Sequence, residues 1–242
     1  MSASSKPPVA SGLRRKERPE NLAERIYIQL KQEIFEFHLL PGDRFSESDV
    51  AERMAASRTP VREALYRLQR DGYVDVHFRS GWQVKPFDFR TFEELYDLRV
   101  VLECAAVRRL CEREREPSQL DDLKRIWLVP EAERLTDGQT VSALDERFHT
   151  MLVEACGNRE MALIHAQVSE RIRIIRRLDF TKDARVSATY SEHGQILRAI
   201  LQRRSEEALL LLKSHIEASK AEVRKITLHM LHSARPQSES AD

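Results

Sequence analysis

The run Ser57-Arg58-Thr59-Pro60-Val61-Arg62-Glu63-Ala64-Leu65 constrains this chain more than any other segment. Ser57 is an N-cap residue type, and Pro60 falls in the first turn, where a missing N–H costs nothing. Val61, Ala64, Leu65 and Leu68 recur at helical spacing and predict one buried face. Arg58 and Arg62 are four apart and share a different face near the helix start. Two guanidiniums beside free backbone N–H groups suit phosphates and guanine edges. The alternative is an ordinary solvated helix face, so the flanking sequence has to decide.

Upstream, Pro41-Gly42 predicts a turn, and Ser46-Glu47-Ser48-Asp49 opens a short helix to about Ala55 with a Ser-x-x-Asp cap. A tight turn at Ala55-Ala56 then leads into the Ser57 helix, a helix-turn-helix layout. Ala55 stands where a glycine would be easier, because such turns favour positive φ. Downstream, Tyr73 to Phe78 alternates like a strand, Arg79-Ser80-Gly81 turns, and Trp82-Gln83-Val84 returns. An amphipathic helix over about Asn21–Phe37 precedes the unit.

Residues 21–86 resemble the winged helix-turn-helix domain of GntR-family bacterial transcription regulators. Leu40-Pro41-Gly42, Val50-Ala51-Glu52, Ser57 to Leu65, Leu68, Asp71-Gly72-Tyr73-Val74 and Arg79-Ser80-Gly81 carry the resemblance. It implies that Ser57, Arg58, Thr59 and Arg62, with Arg79 and Gly81 at the wing, meet double-stranded DNA. One short helix reads only a few base pairs, so a homodimer on a pseudo-palindromic operator is expected.

The rest of the composition fits a cytoplasmic, two-domain chain of 242 residues with 41% hydrophobic residues. No apolar run approaches the roughly 18 residues of a membrane span. The first 20 residues are polar and basic, with no apolar core of the secretory kind. Cys104, Cys111 and Cys156 lack zinc-type pair spacing and read as free thiols. The net charge of +1 is unevenly divided: residues 1–90 hold 16 Lys/Arg against 13 Asp/Glu, so +3, and the remainder is −2. The small basic excess lies in the half that carries the helix-turn-helix. Residues 1–20 and 232–242 read as tails, 21–88 as the winged unit, and 91–231 as an all-α second domain, so the fold class is mainly α.

From Thr91 onward the pattern is helical throughout, helped by a total of only seven glycines. Thr91-Phe92-Glu93-Glu94 reads as a capping box. Six helices are expected, at roughly 91–113, 117–135 (broken near Pro130), 140–156, 158–178, 183–203 and 205–231. Asp137-Gly138 is read as ending the second of these. Polar residues on their apolar faces are the informative ones. Asp145 and His149 sit about 40° apart on one helical stripe, among Leu144, Phe148 and Leu152. His193 shares a face with Val186, Ile196, Leu197 and Ile200. His215 shares one with Ala208, Leu211, Leu212 and Ile226.

A buried polar group needs a partner. One such histidine would be an ordinary core residue, but Asp145, His149, His193 and His215 together make a metal set. Zn²⁺ is the first expectation, with Ni, Fe and Mn as alternatives. His165 faces an apolar side without a neighbouring acid and is read as a core residue. Arg99 lines up with Phe92, Leu95, Leu102, Ala106 and Leu110. A lone buried arginine is costly, so it either pairs with Glu103 or forks onto the carboxylate of a bound metabolite.

Residues 91–231 resemble the FCD ligand-binding domain of the FadR subfamily, in its six-helix VanR-like branch. Leu98-Arg99-x-x-Leu102-Glu103, Asp145-x-x-Phe148-His149, Gly157-Asn158, Glu192-His193 and His215 carry that resemblance. It implies a homodimeric regulator, expected to be a repressor and not an enzyme, whose DNA affinity responds to a small organic acid. The competing readings are a constitutive DNA-binding dimer with a structural metal, and a metal-dependent enzyme.

Overall fold

The structure is a computed structural model that describes residues 19–77, 81–180, 183–223 and 225. It divides into two compact units, one of residues up to 32 with 43–85, the other of 33–42 with residues from 86 onward.

In the first unit, α1 (Pro19–Phe35) buries Ile26, Tyr27 and Leu30. Tyr27 is tied to the end of a later helix: its hydroxyl donates to Asp71 at 2.8 Å, and the Arg67 guanidinium lies 3.9 Å from its ring centre. A two-residue strand, β1 (Arg44–Phe45), follows; it was not foreseen because two residues carry no periodicity. The predicted cap on α2 (Glu47–Arg53) is present in both directions: the Asp49 N–H donates to the Ser46 hydroxyl, and the Ser46 N–H donates to the Asp49 carboxylate. Helix α3 (Arg58–Arg70) buries Pro60, Val61, Ala64, Leu65 and Leu68, the face expected from spacing. Strands β2 (Val74–His77) and β3 (Gly81–Val84) form the antiparallel wing. The sheet order is β1-β3-β2, with Phe45 opposite Trp82 and Val74 opposite Val84.

Ser57 corrects a sequence expectation. It occupies the N-cap position of α3 but makes no side-chain capping bond. The third helical residue, whose N–H a serine cap would accept, is Pro60, which has none.

The second unit holds α4 (Phe89–Glu112), α5 (Gln119–Trp127), a 3₁₀ turn (Glu131–Glu133), α6 (Gly138–Ala155), α7 (Arg159–Asp179), α8 (Asp183–Leu201) and α9 (Ser205–Val223). Helix α4 begins earlier than Thr91, because Asp88 is the better cap. Its carboxylate accepts the N–H groups of Arg90 and Thr91, and the Thr91 hydroxyl donates to it as well. Helix α5 ends at Trp127, short of Pro130. Asp137-Gly138 opens α6 instead of closing α5: the Asp137 carboxylate accepts the Thr140 N–H at 2.7 Å, and a side chain at 138 would collide with the Phe180 carbonyl. Helix α4 packs chiefly against α9, and α6 against α7. Trp127 anchors the core, with Phe148, Tyr190 and His193 ringed about it. No helix among the described residues is long and apolar enough to cross a membrane.

Ala55 has φ +47° in the turn between α2 and α3. A left-handed alanine costs roughly 1–2 kcal/mol, against about 0.5–1 kcal/mol of added chain entropy lost by glycine. Ala55→Gly is therefore expected to stabilise the first unit by about 0.5–1 kcal/mol, read as a higher urea midpoint at unchanged m-value.

Candidate metal centre and nucleic-acid interface

Asp145 and His149 lie one turn apart on α6, and His193 on α8 and His215 on α9 come in beside them. One donor atom from each falls within 4.8 Å of all the others, and all four residues are buried. The Nε2 atoms of His149 and His193 lie 3.1 and 3.3 Å from His215 Nε2. Asp145 Oδ1 lies 3.2, 3.6 and 3.8 Å from the Nε2 atoms of His193, His149 and His215. A tetrahedral ion with bonds of about 2.0–2.1 Å sets its ligands roughly 3.3–3.4 Å apart, so these separations match a metal-sized gap.

Protonation argues the same way. His149 Nδ1 is 2.6 Å from Glu103 Oε2, and His215 Nδ1 is 2.6 Å from Glu192 Oε2. Each Nδ1 therefore donates to a carboxylate, and in the neutral imidazoles that ligation requires this leaves both Nε2 atoms as bare lone pairs. Two lone pairs at 3.1 Å repel unless a cation lies between them. Asp145 Oδ1, buried and without a hydrogen-bond partner, faces the same gap. The donor set thus fits a divalent metal, which Asp145 Oδ1 and the three Nε2 atoms would hold.

Burial drives the electrostatics. It pushes His193 well below the ordinary imidazole range, and it takes His215 from 6.5 to about 4 despite the opposing pull of Glu192. Burial also works against ionised Asp145. Arg176 beside it, with His149 and His193, outweighs that and holds the carboxyl well below the usual range. Glu103 is likewise held low, because Arg99 and His149 overcome its burial.

The residues around the four donors were only partly foreseen. Arg99 is buried and its Nε donates to Glu103 Oε1 at 2.6 Å, so the internal pair exists; its Nη2 is buried without a partner. His165 departs from the reading that it lacks an acid: its Nε2 lies 3.0 Å from Glu103 Oε1. The acid comes from another helix, which spacing along α7 cannot reveal. Arg176, bonded to Asp145 Oδ2, and Glu192 were missed for the same reason. The available signal was their position among apolar neighbours on α7 and next to His193.

In the first unit, Ser57, Arg58, Thr59 and Arg62 are all exposed at the start of α3. Arg58 Nη2 donates to the Ser48 hydroxyl at 2.9 Å. Arg62 forks onto Glu47, with Nη2 2.8 Å from Oε2 and Nε 3.1 Å from Oε1. That contact lowers the Glu47 pKa, while the guanidinium stays 54% exposed. Both arginines are therefore held by α2 and still face outward. Tyr66, one turn beyond Arg62, continues the exposed stripe and packs edge-on against Trp82 of the wing. Gly81 has φ +84°, and a Cβ there would lie 2.6 Å from the Phe45 carbonyl, so backbone packing alone already demands glycine. Arg79 lies outside the described residues.

A family model described as "Bacterial regulatory proteins, gntR family" matches residues 22–84, and one described as "FCD domain" matches residues 94–218. The "Nta operon transcriptional regulator" of Aminobacter aminovorans is 32% identical over 183 residues, covering 75% of this chain and 84% of that protein. The HTH-type regulator YdhC of Bacillus subtilis is 29% identical over 198 residues, covering 80% and 85%. Among solved structures, a putative GntR regulator from Rhodococcus sp. RHA1 aligns with a TM-score of 0.65 at 24% identity, covering 86% of this chain and 99% of that one. E. coli McbR/YncC aligns at 0.64 and 20%, covering 84% and 97%. Both share the fold.

The His215 shift has a measurable consequence. The folded state refuses a proton that the unfolded chain accepts below pH 6.5, so stability present above that pH is lost as pH falls toward about 4. Thermal melts of chelator-treated protein between pH 7.5 and 4.5 are expected to decline more steeply for the parent than for His215→Gln. Adding Zn²⁺ at pH 7.5 is expected to raise the parent melting temperature through mass action.

Proposed function

This chain belongs to the GntR family of bacterial transcriptional regulators, with a DNA-binding GntR domain and an FCD domain, and on that premise we propose a metal-dependent response to a small carboxylate. In this reading residues 21–88 bind the operator, and residues 91–231 bind the effector and dimerise. The protein acts as a repressor that the effector releases from DNA. The observation that carries the effector half is the buried gap where Asp145 Oδ1 meets three imidazole Nε2 atoms, two of them on rings whose Nδ1 donates to a carboxylate.

Three imidazoles and one carboxylate suit Zn²⁺, with Ni, Fe or Mn as alternatives. When bound, the metal supplies a Lewis-acid position for carboxylate oxygens, provided its coordination expands beyond four. Glu103 and Glu192 hold His149 and His215 in the orientation and tautomer that ligation requires. Arg99 offers its unpartnered Nη2 to the same anion. A carboxylate changes DNA affinity to the extent that it binds the DNA-competent and released states unequally.

On the DNA side, Arg58 and Arg62 meet guanine edges and phosphates, with Ser57 and Thr59 assisting and Arg79 and Gly81 at the wing. Two copies are needed, since half-sites about 34 Å apart present successive major grooves on one face of the duplex. The second reading, a constitutive regulator with a structural metal, draws on the near-complete burial of all four donors.

Two measurements test these claims on the full chain, using an operator selected from random duplexes. Arg62→Ala is expected to lose about 1–3 kcal/mol of specific binding, and more when combined with Arg58→Ala. Unchanged operator affinity in the folded double variant would remove the assignment. Small carboxylates are expected to release DNA from the metal-loaded protein and to have no effect after chelation. DNA release by no carboxylate leaves the structural-metal reading standing.

A further inference from the structure

Two guanidiniums inside the second unit share an unusual state. Arg99 and Arg176 are 1% and 3% exposed. Each is held on one side by a carboxylate: Arg99 through Nε to Glu103, Arg176 through Nη2 to Asp145. Each also keeps a buried nitrogen with no hydrogen-bond partner, Nη2 on Arg99 and Nη1 on Arg176. An unsatisfied buried donor on a charged group is among the costliest defects a core can carry. What sets these two apart from other buried polar atoms is their near-complete burial and the carboxylates that tie both to the histidine cluster, which together describe a place prepared for anions. Tyr96 lies close to Arg99, whose guanidinium is 5.9 Å from its ring centre. The Tyr96 hydroxyl reaches Ser219 at 3.1 Å.

Counting charge narrows the ligand. The groups around the gap are Asp145, Glu103 and Glu192 against Arg99, Arg176 and Arg185. They cancel, and a histidine that ligates through Nε2 is neutral. A divalent ion therefore brings the buried cluster to +2. A monocarboxylate leaves one positive charge uncompensated in a low-dielectric interior, whereas two carboxylates leave none.

We infer that the effector is a small dicarboxylate, with Arg176 as a second cationic anchor beside Arg99. The inference rests on the metal-and-carboxylate reading proposed above. Arg176 already grips the carboxylate whose other oxygen faces the proposed metal position, so its Nη1 would serve as an anchor for a ligand carboxylate held there. Arg99 is set back from that position by the Glu103 carboxylate and the His149 ring, and its Nη2 takes the second carboxylate. A single compact dianion such as phosphate supplies the same charge from one group and is the competing ligand to test.

The test is calorimetry on metal-loaded full chain with matched acids: propionate against malonate, butyrate against succinate, valerate against glutarate, and inorganic phosphate. At least one dicarboxylate is expected to bind roughly tenfold or more tighter than its monocarboxylate match. Arg99→Gln, checked first for metal content and folding, is expected to lose that preference while still binding the monoacid. Arg99→Lys and Arg176→Lys serve if a glutamine variant does not fold, and each is expected to narrow the preference. Equal binding of mono- and dicarboxylates by the parent overturns the inference and leaves the carboxylate reading intact. So does a preference unchanged in every folded variant, or phosphate outcompeting all the dicarboxylates. If no acid binds at all to metal-loaded protein, the carboxylate reading falls and this inference falls with it.

Discussion

The second unit is organised around one electrostatic problem, the convergence of Asp145 Oδ1 with the Nε2 atoms of His149, His193 and His215 in a space closed to water. Such a cluster repels itself when empty of positive charge, yet the chain commits α6, α8 and α9 to building it. Everything next to it serves the same end. Glu103 and Glu192 fix two of the imidazoles through Nδ1, Arg176 holds the far oxygen of Asp145, and Phe148 stacks on His193 at 3.8 Å between ring centres. The bundle is therefore a frame for a charged centre more than a hydrophobic core with polar impurities.

Glu103 is the most connected member of that frame. Fully buried on α4, it meets Arg99, His149 and His165 at 2.6, 2.6 and 3.0 Å. It links the helix carrying Arg99 to the candidate ligands on α6, so any displacement of Arg99 is felt at His149. A buried carboxylate with three partners is rigid, and replacing one partner leaves the others unbalanced. That rigidity would suit the proposed response to a charged ligand, because the wrong charge cannot be accommodated by small adjustments.

The first unit solves a simpler problem by the same means. In the proposed interface, Arg58 and Arg62 have to be exposed to meet DNA yet ordered enough to meet it in one geometry. The N-terminal part of α2 supplies that order through Ser48 and Glu47. The exposed, bidentate Arg62–Glu47 pair contributes little to stability. Its value is orientation, since side-chain entropy lost before binding is not lost again on binding.

Sequence by itself determined the order and type of the elements, because those follow from local periodicity and from residues with one strong conformational habit. The Val61-Ala64-Leu65-Leu68 stripe, the Ser46–Asp49 cap and the six helical segments after residue 88 are all short-range properties. The inward direction of Asp145, His149, His193 and His215 was equally legible, since a polar residue on an apolar stripe is visible from spacing alone. Tertiary structure decided what meets what. It gave Glu103 to His165, Arg176 to Asp145 and Glu192 to His215, pairs at least 23 residues apart. The helix starts are local matters by contrast: Pro60 denies Ser57 the N–H its side chain would cap, and Asp88 caps α4 through residues two and three ahead. Periodicity reports which way a side chain points; it carries no information about the charge waiting on the facing helix. The charge balance of the buried centre could therefore be counted only after the fold had brought its members together.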